Sequence, residues 1–260
     1  EENEDRNKTQ ISDVNADIHI QDLSFKYDGA RPDYVLNDID LTIPQNKVTA
    51  IVGASGSGKT TLIKLMLGFY EPNEGDISIG NENLSTFNLT WWRSQCGTVM
   101  QEGYLFSDTI ARNIAISDDD IDLERLRYAA RVANIADYVE ALPLAYNTKI
   151  GQDGQGVSQG QRQRILIARV VYKNPQYIFL DEATNALDAN NEKAIVENLS
   201  EFYHGKTVVV VAHRLSTVKH ADQIVVLDGG QIAEIGTHVE LTTKRGKYYE
   251  LVKNQLELGN

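Results

Sequence analysis

A glycine-rich segment, set between a short apolar run and a stretch with helical spacing, limits the possible folds of this chain more than any other feature. The apolar run is 48–52, the segment from Gly53 to Thr61 reads GASGSGKTT, and apolar residues recur at helical spacing over 62–67. Between a strand and a helix, such glycines let successive backbone N–H groups converge on one anion, and the helix N-terminus adds a partial positive charge. The segment therefore predicts a phosphate-binding loop.

The side chains of this loop have separate expected roles. Lys59 would reach the β- and γ-phosphates of a nucleotide, and the hydroxyl of Thr60 is placed to bind Mg²⁺. The residues of the loop expected to bind the nucleotide are Gly53, Ser55, Gly56, Ser57, Gly58, Lys59, Thr60 and Thr61.

A second apolar run, 177–180, ends in the two carboxylates Asp181 and Glu182. Ligands of α/β sheets bind at the carboxyl ends of the strands, so Asp181 is expected to hold Mg²⁺ beside the phosphate loop. Glu182, one residue further, could polarise an attacking water as a general base. Alone, an Asp-Glu pair at a strand end is usually only the start of a loop, and the phosphate loop favours the catalytic interpretation.

Alternation of β-branched apolar runs with helix-length stretches predicts an α/β fold with a P-loop NTPase core and a parallel sheet. The alternating early runs favour an antiparallel β subdomain near the N-terminus. Helical patterns dominate about 84–175, which predicts an inserted, mostly helical subdomain, including a helix over 123–134 with Asp122 as its N-cap. The strands are predicted at 18–20, 39–43, 48–52, 177–181, 207–212 and 223–227.

Composition excludes several other classes of protein. The chain has 25 Lys+Arg and 37 Asp+Glu, a net charge of −12, which argues against a nucleic-acid partner. With Cys96 as its single cysteine it can form no internal disulfide. Apolar runs such as 208–212 are far too short to cross a bilayer. The acidic run 118–122 favours a solvated loop before a helix over a metal site.

A third motif, VSQGQRQR at 157–164, resembles the LSGGQ signature of the nucleotide-binding domains of ABC transporters. The resemblance extends from about residue 18 to 256 and implies ATP as the nucleotide. Tyr27 matches the aromatic residue that stacks on adenine, and Gln101 matches the glutamine that contacts Mg²⁺ and couples the site to the membrane domain. His213 matches the histidine that contacts the γ-phosphate, so Lys59, Glu182 and His213 are the expected catalytic residues.

The signature motif stands at the start of a helix predicted over 161–172, and a helix N-terminus can bind a second anion. In the family this end binds the γ-phosphate of an ATP held by another subunit, which implies a head-to-tail homodimer on ATP binding. The residues expected there are Ser158, Gly160 and Gln161 of the signature and Asp188 of the loop 185–188. Gln159, Val157 and Asn185 depart from the usual residues, and Asn185 puts the cross-dimer contact of that loop in doubt.

The stretch 101–114 is similar to that of ABC exporters, and 151–154 partly resembles their cross-linking loop. These likenesses imply an ATPase domain over 16–260, with 1–15 as an acidic linker from a fused or associated transmembrane domain. Such a domain would lie on the cytoplasmic face of the cell membrane and would not touch the exported substrate.

Overall similarity favours exporters of peptides, bacteriocins or toxins, while lipid and multidrug exporters share nearly the same domain. Two other classes stay open as alternatives. A mechanical ABC clamp on DNA or ribosomes would need a coiled-coil insertion or a basic groove, which the sequence does not offer. A regulatory module without turnover would need an impaired Lys59, Asp181, Glu182 or His213, and all four are present.

Overall fold

The structure is a computed structural model that describes residues 15–29, 33–116, 120–151, 154, 156–212 and 214–258, with side chains up to residue 254. Several predicted features lie outside the described residues: nearly all of the acidic linker, the first two residues of the acidic run 118–122, two positions of the loop 151–154, and His213.

Strands are numbered in chain order over the described residues. β1 to β12 are Ile18–Phe25, Leu36–Ile43, Val48–Gly53, Glu74–Ile79, Glu82–Asn83, Cys96–Val99, Asp108–Thr109, Lys149–Ile150, Tyr177–Asp181, Thr207–Val211, Gln223–Asp228 and Gln231–Gly236.

Helices are numbered in the same way. α1 to α10 are Lys59–Met66, Leu89–Gln95, Ile110–Ile114, Leu123–Val132, Ala136–Glu140, Gln159–Lys173, Ala189–Phe202, Leu215–Val218, His238–Lys244 and Lys247–Leu258. None of the helices in the described part of the chain has the length and apolar character needed to span a bilayer.

The chain divides into two compact units. The first comprises residues up to Cys96, Gln176–Asp181 and Gly205 onwards, and the second comprises Gly97–Pro175 and Glu182–His204. The strand β6 begins in the first unit at Cys96 and continues into the second.

An antiparallel sheet of four strands, in the order β2-β1-β4-β5, forms one part of the first unit. The second half of β2 alternates, with Ile39, Leu41 and Ile43 buried and Asp40 and Thr42 exposed. Burying one face of a sheet requires this period of two, which is why the alternating early sequence was informative. The predicted antiparallel N-terminal sheet is confirmed.

The central sheet of the first unit has parallel strands in the order β11-β3-β10-β9, with β12 antiparallel to β11 at the edge. All residues of β9 and β10 are buried, as expected for strands covered on both faces. Their registers pair Val211 with both Ile51 and Asp181, and Leu227 with Gly53. The carboxyl ends of the strands are therefore level, and they bring Gly53 and Asp181 to one edge of the sheet.

The second unit is mostly helical and is built around α6. Ile165, Ile167 and Ala168 of this helix are fully or almost fully buried, and α3 and α4 pack against it. The predicted helix behind Asp122 is present: Asp122 accepts hydrogen bonds from the N–H groups of Glu124 and Arg125. It ends at Val132, two residues before the prediction, because Asn134 adopts a left-handed φ of 52°.

Candidate active site

The phosphate loop joins β3 to α1 through a backbone that only glycine adopts easily. Gly53 has a φ of +154°, and a Cβ there would lie 2.2 Å from the carbonyl oxygen of Leu227 on the neighbouring strand. Gly58 is the N-cap of α1 with a φ of 103° and gives the helix no side-chain cap. The first N–H groups of α1 therefore receive no acceptor from their own N-cap and can face an anion.

Lys59 is almost fully buried, with 6% of its surface exposed. Its Nζ donates hydrogen bonds to the carbonyl oxygens of Gly53, at 2.9 Å, and of Ala54, at 2.8 Å. An ammonium group inside the loop adds a full positive charge to the partial charges of the helix end. The arrangement suits a polyphosphate that would exchange these carbonyl contacts for stronger charge-assisted ones.

Thr60 and Asp181, the two predicted metal ligands of the first unit, are in direct contact. The Thr60 hydroxyl donates to Oδ2 of the fully buried Asp181 at 2.8 Å. Both groups supply oxygen, the ligand atom that Mg²⁺ prefers. Close by in sequence, the buried Ser57 hydroxyl has no hydrogen-bond partner among the described residues, and a phosphate oxygen could accept a hydrogen bond from it. The residues present fit a magnesium nucleotide.

Tyr27, the expected adenine-stacking residue, is held by its hydroxyl and by its ring. Its hydroxyl lies 2.9 Å from Oγ1 of Thr61 in α1. The ring makes edge-on contacts with Phe25 and Tyr70, at centroid distances of 4.9 and 5.2 Å. A hydrogen bond thus connects Tyr27 to α1, the helix that begins at the phosphate loop.

Glu182 is the first residue of the stretch Glu182–His204, which belongs to the second unit. Its backbone has a left-handed φ of 54°. Its Oε2 accepts a hydrogen bond from Nδ2 of Asn185 and a longer one, 3.4 Å, from Nε2 of Gln101. Two side-chain amides thus orient this carboxylate. Among the predicted site residues, the second unit therefore brings Glu182 and Gln101 together.

The signature residues form the N-terminus of α6, which begins at Gln159, two residues before the predicted start. Ser158 is the N-cap: its hydroxyl accepts from the Gln161 N–H at 3.1 Å, and Oε1 of Gln161 accepts from the Ser158 N–H at 2.8 Å. This reciprocal pair is a capping box. Gly160 packs closely against the loop after Glu182, since a Cβ there would lie 3.1 Å from the Ala186 carbonyl oxygen.

Asp188 ends that loop and caps α7, accepting hydrogen bonds from the N–H groups of Asn190 and Asn191. The backbone hydrogen bond from Asn191 holds the pKa of Asp188 below its ordinary value. The carboxylate therefore stays charged at neutral pH.

Two residues of α6 that were not predicted as site residues contact this loop or the helix α7 that follows it. Gln163 donates from Nε2 to the Glu182 carbonyl oxygen at 3.3 Å and accepts at Oε1 from the Ala186 N–H at 2.9 Å. Arg164 contacts Oδ1 of Asn191 at 3.2 Å. The repeated Gln-Arg of 161–164 was visible in the sequence, but nothing in it pointed to these partners.

The predicted site residues thus fall into two groups. The first unit contains the site residues Tyr27, Gly53, Ser55, Gly56, Ser57, Gly58, Lys59, Thr60, Thr61 and Asp181. In the second lie Gln101, Ser158, Gly160, Gln161, Glu182 and Asp188. His213 lies outside the described residues.

Residues 36–185 match the sequence family described as ABC transporter. The exotoxin translocation ATP-binding protein PaxB of Pasteurella aerogenes is 43% identical over 96% of this chain and 35% of its own length. ABC transporter B family member 13 of Arabidopsis thaliana is 43% identical over 95% of this chain and 20% of its own length. The chain spans about a third or less of the length of these relatives.

Comparison with solved structures also identifies a member of the ABC transporter family. A bacterial Atm1-family ABC exporter with ATP bound has a TM-score of 0.91 and 36% identity, covering 96% of this chain and 44% of that one. The match confirms the predicted α/β class with its parallel core. Because the family matches more than half of the sequence and the fold agrees along nearly all of it, this chain belongs to the ABC transporter family and is an ATPase domain of that family.

Proposed function

We propose that the chain hydrolyses magnesium-bound ATP between two copies of itself and that hydrolysis powers an exporter. The observation that carries the proposal is the contact of Thr60 with the buried Asp181 at the head of the phosphate loop. That contact puts a hydroxyl and a carboxylate beside Lys59, the combination that a metal-bound triphosphate requires.

The proposed reaction assigns a task to each group. The loop N–H groups and Lys59 bind the phosphates, and Thr60, Asp181 and Gln101 hold the ion. Bound Mg²⁺ would neutralise charge on the β- and γ-phosphates and polarise the bond that breaks. Glu182, oriented by Asn185 and Gln101, takes a proton from the water as the water oxygen bonds to the γ-phosphorus. The bond from the γ-phosphorus to the bridging oxygen breaks, ADP leaves with that oxygen, and His213 contacts the γ-phosphate.

Two copies complete the site in this proposal. The N-terminus of α6, with Ser158, Gly160 and Gln161, binds the γ-phosphate of the ATP held by the partner's phosphate loop. Asp188 lies at the end of a loop that α6 contacts, and it would face the same interface. In the free chain Ser158 and Gln161 satisfy each other, so nucleotide binding would exchange the Ser158 contact for a phosphate oxygen. Hydrolysis then removes the bridging phosphate and lets the pair open.

The exporter role rests on the relatives. Several are named as toxin or leukotoxin translocation proteins, such as the leukotoxin translocation ATP-binding protein LktB of Mannheimia haemolytica, 42% identical over 96% of this chain. On this ground we place the chain on the cytoplasmic face of a cell membrane, joined to a transmembrane domain, in an exporter of peptides or toxins. The plant relative is equally similar, so the substrate class needs its own test: transport of a labelled polypeptide against a labelled lipid in membrane vesicles.

Substitution of Glu182 tests the hydrolytic mechanism in the full-length protein. Glu182→Gln keeps the shape of the side chain and removes the base, so kcat for ATP should fall by about 10²–10⁴-fold, while ATP remains bound. Steady-state phosphate release and equilibrium ATP binding measure the two quantities. Glu201→Gln, at an exposed position of α7, is the matched control and should keep the parent rate. Undiminished kcat in Glu182→Gln would remove Glu182 from the role of base.

A further inference from the structure

We propose that Gln163 is a positioning residue that holds the backbone of 182–188, and with it the Glu182 carboxylate, in the arrangement that hydrolysis requires. This inference rests on the proposed function, because it concerns the same reaction. Among the described residues, the Gln163 side chain hydrogen-bonds to backbone groups of Glu182 and Ala186 and to no side chain expected to bind phosphate or metal, so it would act through Glu182.

Both ends of the Gln163 amide are used. The residue lies in the second turn of α6 with only 9% of its surface exposed. Its donor end meets the Glu182 carbonyl oxygen and its acceptor end meets the Ala186 N–H. Because one partner can only accept and the other can only donate, no acidic or apolar side chain of similar size can replace both bonds. A single side chain thus bridges two backbone groups four residues apart.

Glu182 needs such an anchor because its backbone is strained. A φ of 54° is the left-handed region, which costs a residue with a Cβ about 1–2 kcal/mol. Strained backbone persists where its surroundings fix it, and such positions concentrate at functional sites. The segment that follows is a run of turns, with Asn185 N–H bonded to the Glu182 carbonyl at 3.2 Å and Leu187 N–H to Thr184 at 3.1 Å. Asn185 and Gln101 hold the Glu182 carboxylate, and Gln163 adds a side-chain bond to its backbone carbonyl.

Arg164, the next residue of α6, contacts the helix α7 that follows the same segment. Its guanidinium donates to the Asn134 carbonyl at 2.7 Å and to Oδ1 of Asn191 at 3.2 Å. Asn191 in turn donates to Asp188, the N-cap of α7. Gln163 therefore contacts the segment 182–188 directly, and Arg164 reaches its far end only through Asn191.

The consequence concerns the two ATP sites of the proposed dimer. The first turn of α6 carries Ser158 and Gly160, which would meet the partner's ATP, and its second turn carries Gln163, which holds the chain's own Glu182. A shift of α6 on contact with one γ-phosphate would move the base that serves the other. Gln163 would directly connect the end of α6 that meets the partner's ATP to the residue Glu182 that serves the chain's own ATP.

The test compares Gln163→Met with Gln163→Glu in the full-length protein, by steady-state ATP hydrolysis. Methionine fills the same volume and makes neither hydrogen bond, whereas glutamate keeps an acceptor and loses the donor to Glu182. In both variants kcat should fall by about tenfold or more, because misplacement of a reacting group by about 1 Å costs up to 10²-fold, while KM for ATP changes less than twofold. Gln95→Met, at the half-buried end of α2, controls for the substitution itself and should keep the parent kcat and KM.

A second measurement separates positioning from stability. In a Glu182→Gln background, Gln163→Met should lower the residual kcat no further, since the base it positions is already gone. Equal kcat in Gln163→Met and the parent, or a full additional loss in the double variant, would overturn the inference. Should Gln163→Met fail to fold, Gln163→Glu carries the same comparison. A parent protein without ATP hydrolysis would instead overturn the proposed function.

Discussion

Gly53 and Gly56 are both glycines of the phosphate loop, yet the structure requires them for different reasons. At Gly53 a Cβ would lie 2.2 Å from the Leu227 carbonyl oxygen, so the residue allows β3 and β11 to pair beside the loop. At Gly56 the φ of +78° is left-handed, but a Cβ would meet nothing within 4 Å. One glycine is needed for space, and the other for backbone conformation and for the approach of a phosphate.

Alanine at these two positions should therefore have different effects. Gly53→Ala should destabilise the fold by about 1–3 kcal/mol beyond backbone strain, because strand backbone must move. Gly56→Ala should cost only about 1–2 kcal/mol of strain while weakening ATP binding. Gly205→Ala is the control, since Gly205 has a φ of +73° and equally open surroundings outside the loop. Thermal unfolding and ATP titration measure both effects, and a similar melting temperature for Gly53→Ala and Gly205→Ala would contradict this account of Gly53.

The loop residues could be predicted from sequence because they are contiguous and their chemistry is local. Gln163 could not, because its partners Glu182 and Ala186 lie 19 and 23 residues further along the chain. A glutamine within a polar stretch of helix gives no sign that it is buried. Nor could the sequence show that Glu182 has a left-handed backbone, since glutamate has no preference for that region.

The secondary structure elements could be predicted well where one periodicity dominates. The parallel strands appear in the sequence as continuous apolar runs, and the structure confirms them with shifts of at most a few residues. The start of α6 was predicted two residues late because Gly160 is a poor helix former. The capping box of Ser158 and Gln161 sets the boundary. Short strands such as β7 and β8 have too few residues to show a pattern.

The loop 104–109 of the second unit depends on one buried side chain. Asn113 in α3 is fully buried; it accepts from the Phe106 N–H at 2.8 Å and donates to the carbonyl oxygens of Phe106 and Thr109, both at 3.0 Å. Arg169 of α6 adds bonds to the Tyr104 carbonyl, and burial lowers its pKa to about 10, so it remains charged at neutral pH. These hydrogen bonds therefore fix the backbone that carries the exposed aromatic rings of Tyr104 and Phe106.

Removing the Asn113 side chain should release this loop. Asn113→Ala leaves several backbone groups without their partner, at a cost of about 1–3 kcal/mol for each group that stays buried. Hydrogen exchange at the Phe106 amide should accelerate and the melting temperature should fall. Asn37→Ala, at an exposed position of β2, should change neither. Unchanged protection of the Phe106 amide in Asn113→Ala would show that other contacts hold the loop.

At the scale of the whole molecule, the two groups of site residues have complementary chemistry. The first unit supplies the phosphate loop and the carboxylate of Asp181, and the second supplies a helix N-terminus with Ser158 as well as the carboxylate of Glu182. A chain that carries a phosphate loop and a second anion-binding helix end can form two equivalent sites with a copy of itself. This symmetry underlies the proposed dimer.

Mixing two inactive variants tests the two-chain site most directly. Lys59→Ala disables the phosphate loop and Ser158→Arg disables the signature end, so either full-length variant alone should be nearly inactive. When the two are co-expressed and pair at random, half of the dimers would hold one intact site out of two. Up to about a quarter of the parent ATPase rate should then return, with the full quarter expected if the two sites act independently. A rate no higher than that of the separate variants would contradict the proposal that each ATP is bound by the loop of one chain and the signature of the other.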